Sequence, residues 1–138
     1  VGSETFWAVF NTNKRRPEAL ALPYNHFELY PEKRATKEGF SKISLNHDKE
    51  IVFEKTVFLS DLDIVNHVNN VKYLEWCMDL VDESLILNQK LESFEMNFMK
   101  ELSLKDTVMI HESISQSDAV FSITKDEKAC FALKLNWK

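Results

Sequence analysis

The sequence predicts an α+β fold, a curved antiparallel sheet wrapped around one long helix, and three observations carry that prediction. Residues 71–87 contain neither Gly nor Pro, and Val71, Leu74, Met78, Val81 and Leu85 recur at helical spacing. After residue 91 come four short strand candidates, the first of which alternates apolar and polar positions with the period of two expected of a half-buried strand. The chain holds 2 glycines in 138 residues, where average usage of about 7% would give roughly 10. That scarcity argues against glycine-rich phosphate loops and Rossmann turns.

The elements follow in order. Thr5-Phe6-Trp7-Ala8-Val9-Phe10 is a β-rich run, followed by the turn-like Asn11-Thr12-Asn13 and the basic triplet Lys14-Arg15-Arg16. Pro17, Pro23 and Pro31 punctuate a connector over residues 17–40, with a short helix expected over residues 25–30. Residues 51–59 form a long strand candidate. In the helix that follows, Tyr73, Trp76, Cys77 and Leu80 widen the apolar surface beyond one stripe, so it needs to be covered on most sides. Phe94, Met96 and Phe98 alternate with Glu95 and Asn97. Val108-Met109-Ile110, residues 119–123 and the series Phe131, Leu133, Leu135, Trp137 complete the strands. Consecutive strands with short connections imply antiparallel pairing, and one helix against that sheet is an α+β layer arrangement. A strongly curved sheet around a nearly all-apolar helix is the hotdog architecture.

Size and composition agree with one packed core. A chain near 150 residues buries roughly 68–70% of its unfolded surface, which needs no disulfide or metal staple. The aromatic content of 12% argues against disorder. Net charge is -5, and it is uneven. Residues 1–42 carry seven basic and five acidic residues, whereas residues 43–138 carry ten and seventeen. An acidic balance disfavours nucleic-acid binding, which needs a basic face to displace counterions. Cys77 and Cys130 sit in apolar company without a CxxC spacing, as expected of buried reduced thiols in a cytoplasmic protein. No apolar run approaches the 18 or so residues of a membrane span.

The chemistry concentrates in residues 60–73, where Asp61, Asp63, Asn66, His67, Asn69 and Asn70 precede the helix. Asn69 or Asn70 suits an N-cap. A helix N-terminus offers unpaired N–H groups and a positive dipole end, which polarise a carbonyl and hold an oxyanion. A nearby carboxylate and imidazole orient and deprotonate water. The lack of an elbow serine argues against a serine hydrolase, and Asp61, Asp63 and His67 lack a recognised metal-ligand spacing, so no cofactor or metal is expected.

Asp61-Leu62-Asp63 followed by His67-Val68-Asn69-Asn70-Val71-Lys72-Tyr73-Leu74-Glu75-Trp76 resembles the signature of acyl-ACP thioesterases, which cleave fatty acyl chains from acyl carrier protein. Phe94-Glu95-Met96-Asn97-Phe98-Met99-Lys100-Glu101 resembles the family's next strand, which ends in a functional glutamate. Residues 6–17 resemble the last hairpin of its first hotdog domain. The resemblance implies two parts, a hairpin and connector (1–40) and a hotdog thioesterase domain (41–138). By position it makes Asp63, His67 and Glu101 the catalytic aspartate, histidine and glutamate. The family usually has an asparagine where this chain has Val65, and Asn66 is expected to take that role. Val68, Asn69, Asn70, Tyr73 and Trp76 are expected to meet substrate, with N–H groups of residues 68–70 taking the oxyanion. Glu101 is the preferred base, on the expectation that it is held partly dry.

Two alternatives stay open. Single-hotdog acyl-CoA thioesterases share a similar Asp-x-x-x-His-Val-Asn-Asn motif. A non-catalytic binding or assembly half is the other, suggested by Val65. The expected partners are acyl carrier protein, met partly through Lys14-Arg15-Arg16, and a second copy joined through sheet edges.

Overall fold

A computed structural model describes residues 50–138 throughout and, before them, residues 2–5, 9–11, 13, 14, 16–18, 28, 30, 32–36, 39 and 41–45. The chain divides into two compact units, residues 1–41 and 42–138. In the first, β1 (Val9–Asn11) pairs antiparallel with β2 (Arg16–Glu18), with Asn11 opposite Arg16. Asn11 closes the turn, since its Oδ1 accepts the Lys14 N–H at 2.8 Å and its Nδ2 donates to Glu18 at 2.9 Å. Lys14 pairs with Glu18 across the same turn, so that charge is already engaged. Arg15, the run over residues 6–8 and most of the expected helix at 25–30 lie outside the described residues.

The second unit is an antiparallel five-stranded sheet in the order β3-β5-β6-β7-β4. Its strands are β3 (Glu50–Thr56), β4 (Leu91–Phe98), β5 (Thr107–Ile114), β6 (Asp118–Lys125) and β7 (Lys128–Trp137). Alternation decides the faces. Val108, Ile110, Phe121, Ile123, Phe131, Leu133 and Leu135 are buried on one side, and their intervening neighbours point to the other. The strands β5, β6 and β7 form a meander. The connection from β3 to β4 carries both helices and crosses from one sheet edge to the other.

Those helices are α1 (Asn70–Met78) and α2 (Glu83–Asn88), where the apolar spacing had predicted one helix over residues 71–87. The break has a local cause. The Leu80 and Val81 N–H groups bond three residues back, to Cys77 and Met78, which tightens the last turn of α1. Asp82 then leaves helical geometry (ψ 126°) and its carboxylate caps α2 through the Ser84 N–H at 2.7 Å. Tyr73, Trp76 and Cys77, spaced i, i+3 and i+4, bury one face of α1 against the sheet. Tyr73, Phe98 and Phe131 form an aromatic triangle with centroids 5.0–5.8 Å apart. Val71 on the opposite face of α1 is exposed, so among the described residues of this unit the helix is covered on the sheet side.

The strand expected over residues 51–59 stops at Thr56. Val57 is fully buried, and residues Leu59–Asp61 form a short 3-10 turn leading to the polar stretch. On the outer sheet face the Ile43 N–H donates to buried Asn97 Oδ1 at 2.8 Å, which seats residues 42–45 there. Cys77 and Cys130 are free and buried, and burial pushes the Cys77 thiol up to about 12. Among the described residues no helix is long and apolar enough to cross a membrane.

Candidate active site

The polar stretch folds into a compact loop because its own side chains satisfy its backbone. Asp63 Oδ1 accepts the N–H groups of Val65 at 2.9 Å and His67 at 3.2 Å. The Asp63 N–H donates to His67 O at 2.8 Å, closing the loop at its base. Asn66 sits at φ 64°, in the left-handed region that asparagine tolerates far better than a β-branched residue. Its N–H donates to Asp63 O at 3.1 Å and its residue is exposed. The turn therefore accounts for an asparagine at 66 through its backbone geometry. Val65, at the tip, is exposed as well.

The loop delivers His67 to the start of α1. Asn69 is the N-cap, its side chain accepting the Val71 N–H at 3.0 Å. Its own N–H donates to Asp61 O at 2.9 Å. Asp61, a residue for which the sequence suggested no separate task, is buried. Its carboxylate accepts the Phe58 N–H at 2.8 Å and lies 3.6 Å from Lys55 Nζ. Lys55 in turn lies over the Trp76 ring, 5.3 Å from its centroid, where Trp76, Phe53, Leu80 and Asp79 border a cleft of about 280 Å³.

Glu101 arrives from the other direction, in the loop after β4. The Met99 and Lys100 N–H groups bond to Cys130 O, and Ser103 pairs with His67 as an isolated bridge. Asp106 accepts the Ser103 N–H at 3.0 Å and pairs with Lys125 at 2.6 Å. Partial burial works against the Asp106 carboxylate, but those two donors outweigh it and hold it below the usual carboxylate range. The result places Glu101 Oε2 3.6 Å from His67 Nδ1, an ion-pair distance when the ring is protonated and longer than a hydrogen bond.

Several expectations change with the geometry. Of the three N–H groups expected to meet an oxyanion, that of Val68 donates to Leu102 O at 2.9 Å and that of Asn69 to Asp61 O. Among the described residues the Asn70 N–H, the first of α1, has no acceptor. Tyr73 and Trp76, expected to meet substrate, are buried at 3% and 8% exposure, because their helix face turns to the sheet. Glu101 was expected partly dry; its side chain is 72% exposed and that of His67 43%. Among the described residues of this unit, the exposed side of α1 next to them carries no cover. Asp63 bonds to main chain around His67, so its carboxylate shapes the loop that carries the ring. Among the described residues no group of three or more His, Cys, Asp or Glu side chains is placed to hold a metal ion.

Residues 48–137 match the profile described as the acyl-ACP thioesterase C-terminal domain. A dodecanoyl-[acyl-carrier-protein] hydrolase of Cinnamomum camphora is 30% identical over 56 residues, 41% of this chain and 15% of that protein. A palmitoyl-acyl carrier protein thioesterase of Arabidopsis thaliana is 38% identical over 50 residues, 36% of this chain and 12% of that protein. The crystal structure of an acyl-ACP thioesterase from Bacteroides thetaiotaomicron superposes with a TM-score of 0.81 at 22% identity, covering 94% of this chain and 53% of that one. A 1,4-dihydroxy-2-naphthoyl-CoA thioesterase from Synechocystis shares the fold at a TM-score of 0.51 and 14% identity, covering 63% of this chain and 79% of that one. The neighbours make the architecture a hotdog fold. This chain spans about half the length of the Bacteroides structure and a smaller share of the two plant proteins.

Proposed function

The chain belongs to the acyl-ACP thioesterase C-terminal domain family, and from that premise we propose that it hydrolyses fatty acyl thioesters of acyl carrier protein to a free fatty acid and the carrier thiol. The observation that carries the reading is the meeting of His67 and Glu101, 3.6 Å apart, in a segment that leads within three residues to the free Asn70 N–H at the start of α1. The acyl carbonyl lies with its oxygen on that N–H, where the helix dipole favours negative charge. Glu101 takes a proton from water as the water oxygen attacks the carbonyl carbon. Collapse of the tetrahedral oxyanion breaks the C–S bond, and the carrier sulfur leaves with a proton returned through Glu101 or His67. Asp63 and Asn66 act on the loop, holding His67 in place. The groups require no cofactor.

The open face needs cover, since water exclusion strengthens every charge interaction at the site. β4 is a sheet edge eight residues long, with Leu91, Phe94 and Phe98 exposed along it. Unpaired edges of that kind recruit another strand. In the isolated chain a second copy fills this place, giving a homodimer. The β1–β2 hairpin supports reading residues 1–40 as the end of a preceding hotdog domain, which would fill the same edge in a longer chain. Light scattering that returns a monomer removes the dimer from this account.

The test is release of thiol from acyl-ACP and, in parallel, from acyl-CoA. Turnover of acyl-ACP that drops by about 10² or more in Glu101→Gln and His67→Ala supports the assignment. Equal rates in wild type and both variants remove those residues from the reaction. Faster turnover of acyl-CoA than of acyl-ACP replaces the carrier in this reading.

A further inference from the structure

We infer that Tyr73 is a positioning residue for Glu101, its buried hydroxyl gripping the Leu102 main chain so that the reactive carboxylate is held against α1. This rests on the role proposed for Glu101. Leu102 follows Glu101 directly and is fully buried. Its N–H donates to Tyr73 Oη at 3.1 Å, and its carbonyl accepts the Val68 N–H at 2.9 Å. Both main-chain groups of the residue after Glu101 are thus held by residues on either side of the start of α1.

The helix geometry gives this grip its meaning. Tyr73 stands three residues after Asn70, one turn along the same face. The N–H that receives the oxyanion and the hydroxyl that holds the Glu101 loop therefore share one rigid element. The ring itself has little freedom. It packs edge-on against Phe98 (5.8 Å, 89°) and lies 5.3 Å from Phe131 and 5.7 Å from Trp76. Burial pushes the phenol up to about 12, so the group on Leu102 stays a neutral hydroxyl at working pH. Ser103, one residue further, bridges to His67. Through Leu102 and Ser103 the strand-side loop is registered on both the helix and the histidine. The Glu101 side chain is mostly exposed and meets His67 at 3.6 Å, so the main-chain grip one residue away governs where the carboxylate points.

Tyr73→Phe removes the hydroxyl and keeps the ring. In the full chain, kcat for acyl-ACP is expected to fall about tenfold with KM within twofold, because a small misplacement of a reacting group costs turnover more than binding. Leu135→Val, a core truncation toward the end of β7 that lies away from Phe131 and the loop, lowers stability and is expected to leave kcat unchanged. Amide hydrogen exchange is the second readout. The Leu102 amide should be strongly protected in wild type and lose that protection selectively in Tyr73→Phe. A wild-type Leu102 amide that exchanges as fast as that of Glu101 overturns the inference without any variant. So does a Tyr73→Phe chain with full kcat while Glu101→Gln is inactive. If wild type and Glu101→Gln hydrolyse equally, the role of Glu101 falls and the positioning role with it.

Discussion

Replacing Asp63 separates shape from charge at this site. Its Oδ1 accepts two main-chain N–H groups, Val65 at 2.9 Å and His67 at 3.2 Å. A hydrogen bond contributes about 0.5–1.5 kcal/mol net, and more when the acceptor is charged. The Val65 N–H is at an exposed position where water replaces a lost partner, so its share is small; the His67 N–H is half-buried and its share is larger. Asp63→Ala is therefore expected to lower stability by about 1–2 kcal/mol. It should also cost about 10² in turnover, because the His67 ring moves with the loop. Asp63→Asn keeps an acceptor oxygen in the same place. It should cost less than about 1 kcal/mol and retain turnover within about tenfold. Urea midpoints and thiol release from acyl-ACP measure the two quantities on the same preparations. An Asp63→Asn chain of wild-type stability whose turnover falls by about 10²–10⁴, the size of a lost general base, would refute this reasoning and put the Asp63 charge into the reaction.

The same logic gives shorter expectations elsewhere. Asn66→Gly should keep both stability and turnover, since glycine accepts φ 64°, whereas Asn66→Val should lower stability by about 1–2 kcal/mol; loss of turnover in a stable Asn66→Gly chain would make the side chain a participant. Asp106, held low by Lys125 and Ser103, contributes stability that is present above its unfolded pKa of about 3.9 and lost as pH falls through its folded value. Urea midpoints should therefore show Asp106→Asn clearly less stable at pH 7 and closer to wild type at acid pH. Glu112 behaves in the opposite sense. Burial first and Glu50 directly across the β3–β5 pair second raise its pKa, so its charge costs stability at pH 7 and the cost fades as pH falls through the folded value. Glu112→Gln should raise the urea midpoint at pH 7 and leave it nearly unchanged at pH 4; a lower midpoint at pH 7 would contradict the repulsion.

How the sequence signalled these features differs by element. Strand alternation along Phe131, Leu133, Leu135 and Trp137 states its own face, because a period of two has one solution on a sheet with one buried side; on the edge strand β4 it does not, since Phe94 and Phe98 are exposed there and Asn97 is buried. An asparagine cap at 69 or 70 was recognisable, since a carboxamide before an apolar helical run has a local purpose, and the structure gives the role to Asn69. The break between α1 and α2 was hidden, because apolar spacing continues through Leu80 and Val81 into Leu85 while the cap at Asp82 interrupts it. Asp61 was visible only as one carboxylate among several; its bond to the Phe58 N–H is a local turn contact, and it is the folding of residues 55–69 around it that brings Lys55 and the Asn69 N–H to it as well.

The residue types that bear the chemistry, the succession of four strands after the helix and the scarcity of glycine were properties of the sequence by itself; the order of those strands in the sheet was not. They express local rules, side-chain chemistry and periodicity, that need no neighbours to operate. Tertiary structure alone decided which N–H at the start of α1 stays free, because Val68 and Asn69 give theirs to Leu102 and Asp61. It alone placed Tyr73 in the core with its hydroxyl on Leu102, and left Glu101 in the open beside His67. Each outcome depends on where a distant carbonyl or ring comes to rest, and the packing of the sheet on α1 sets that.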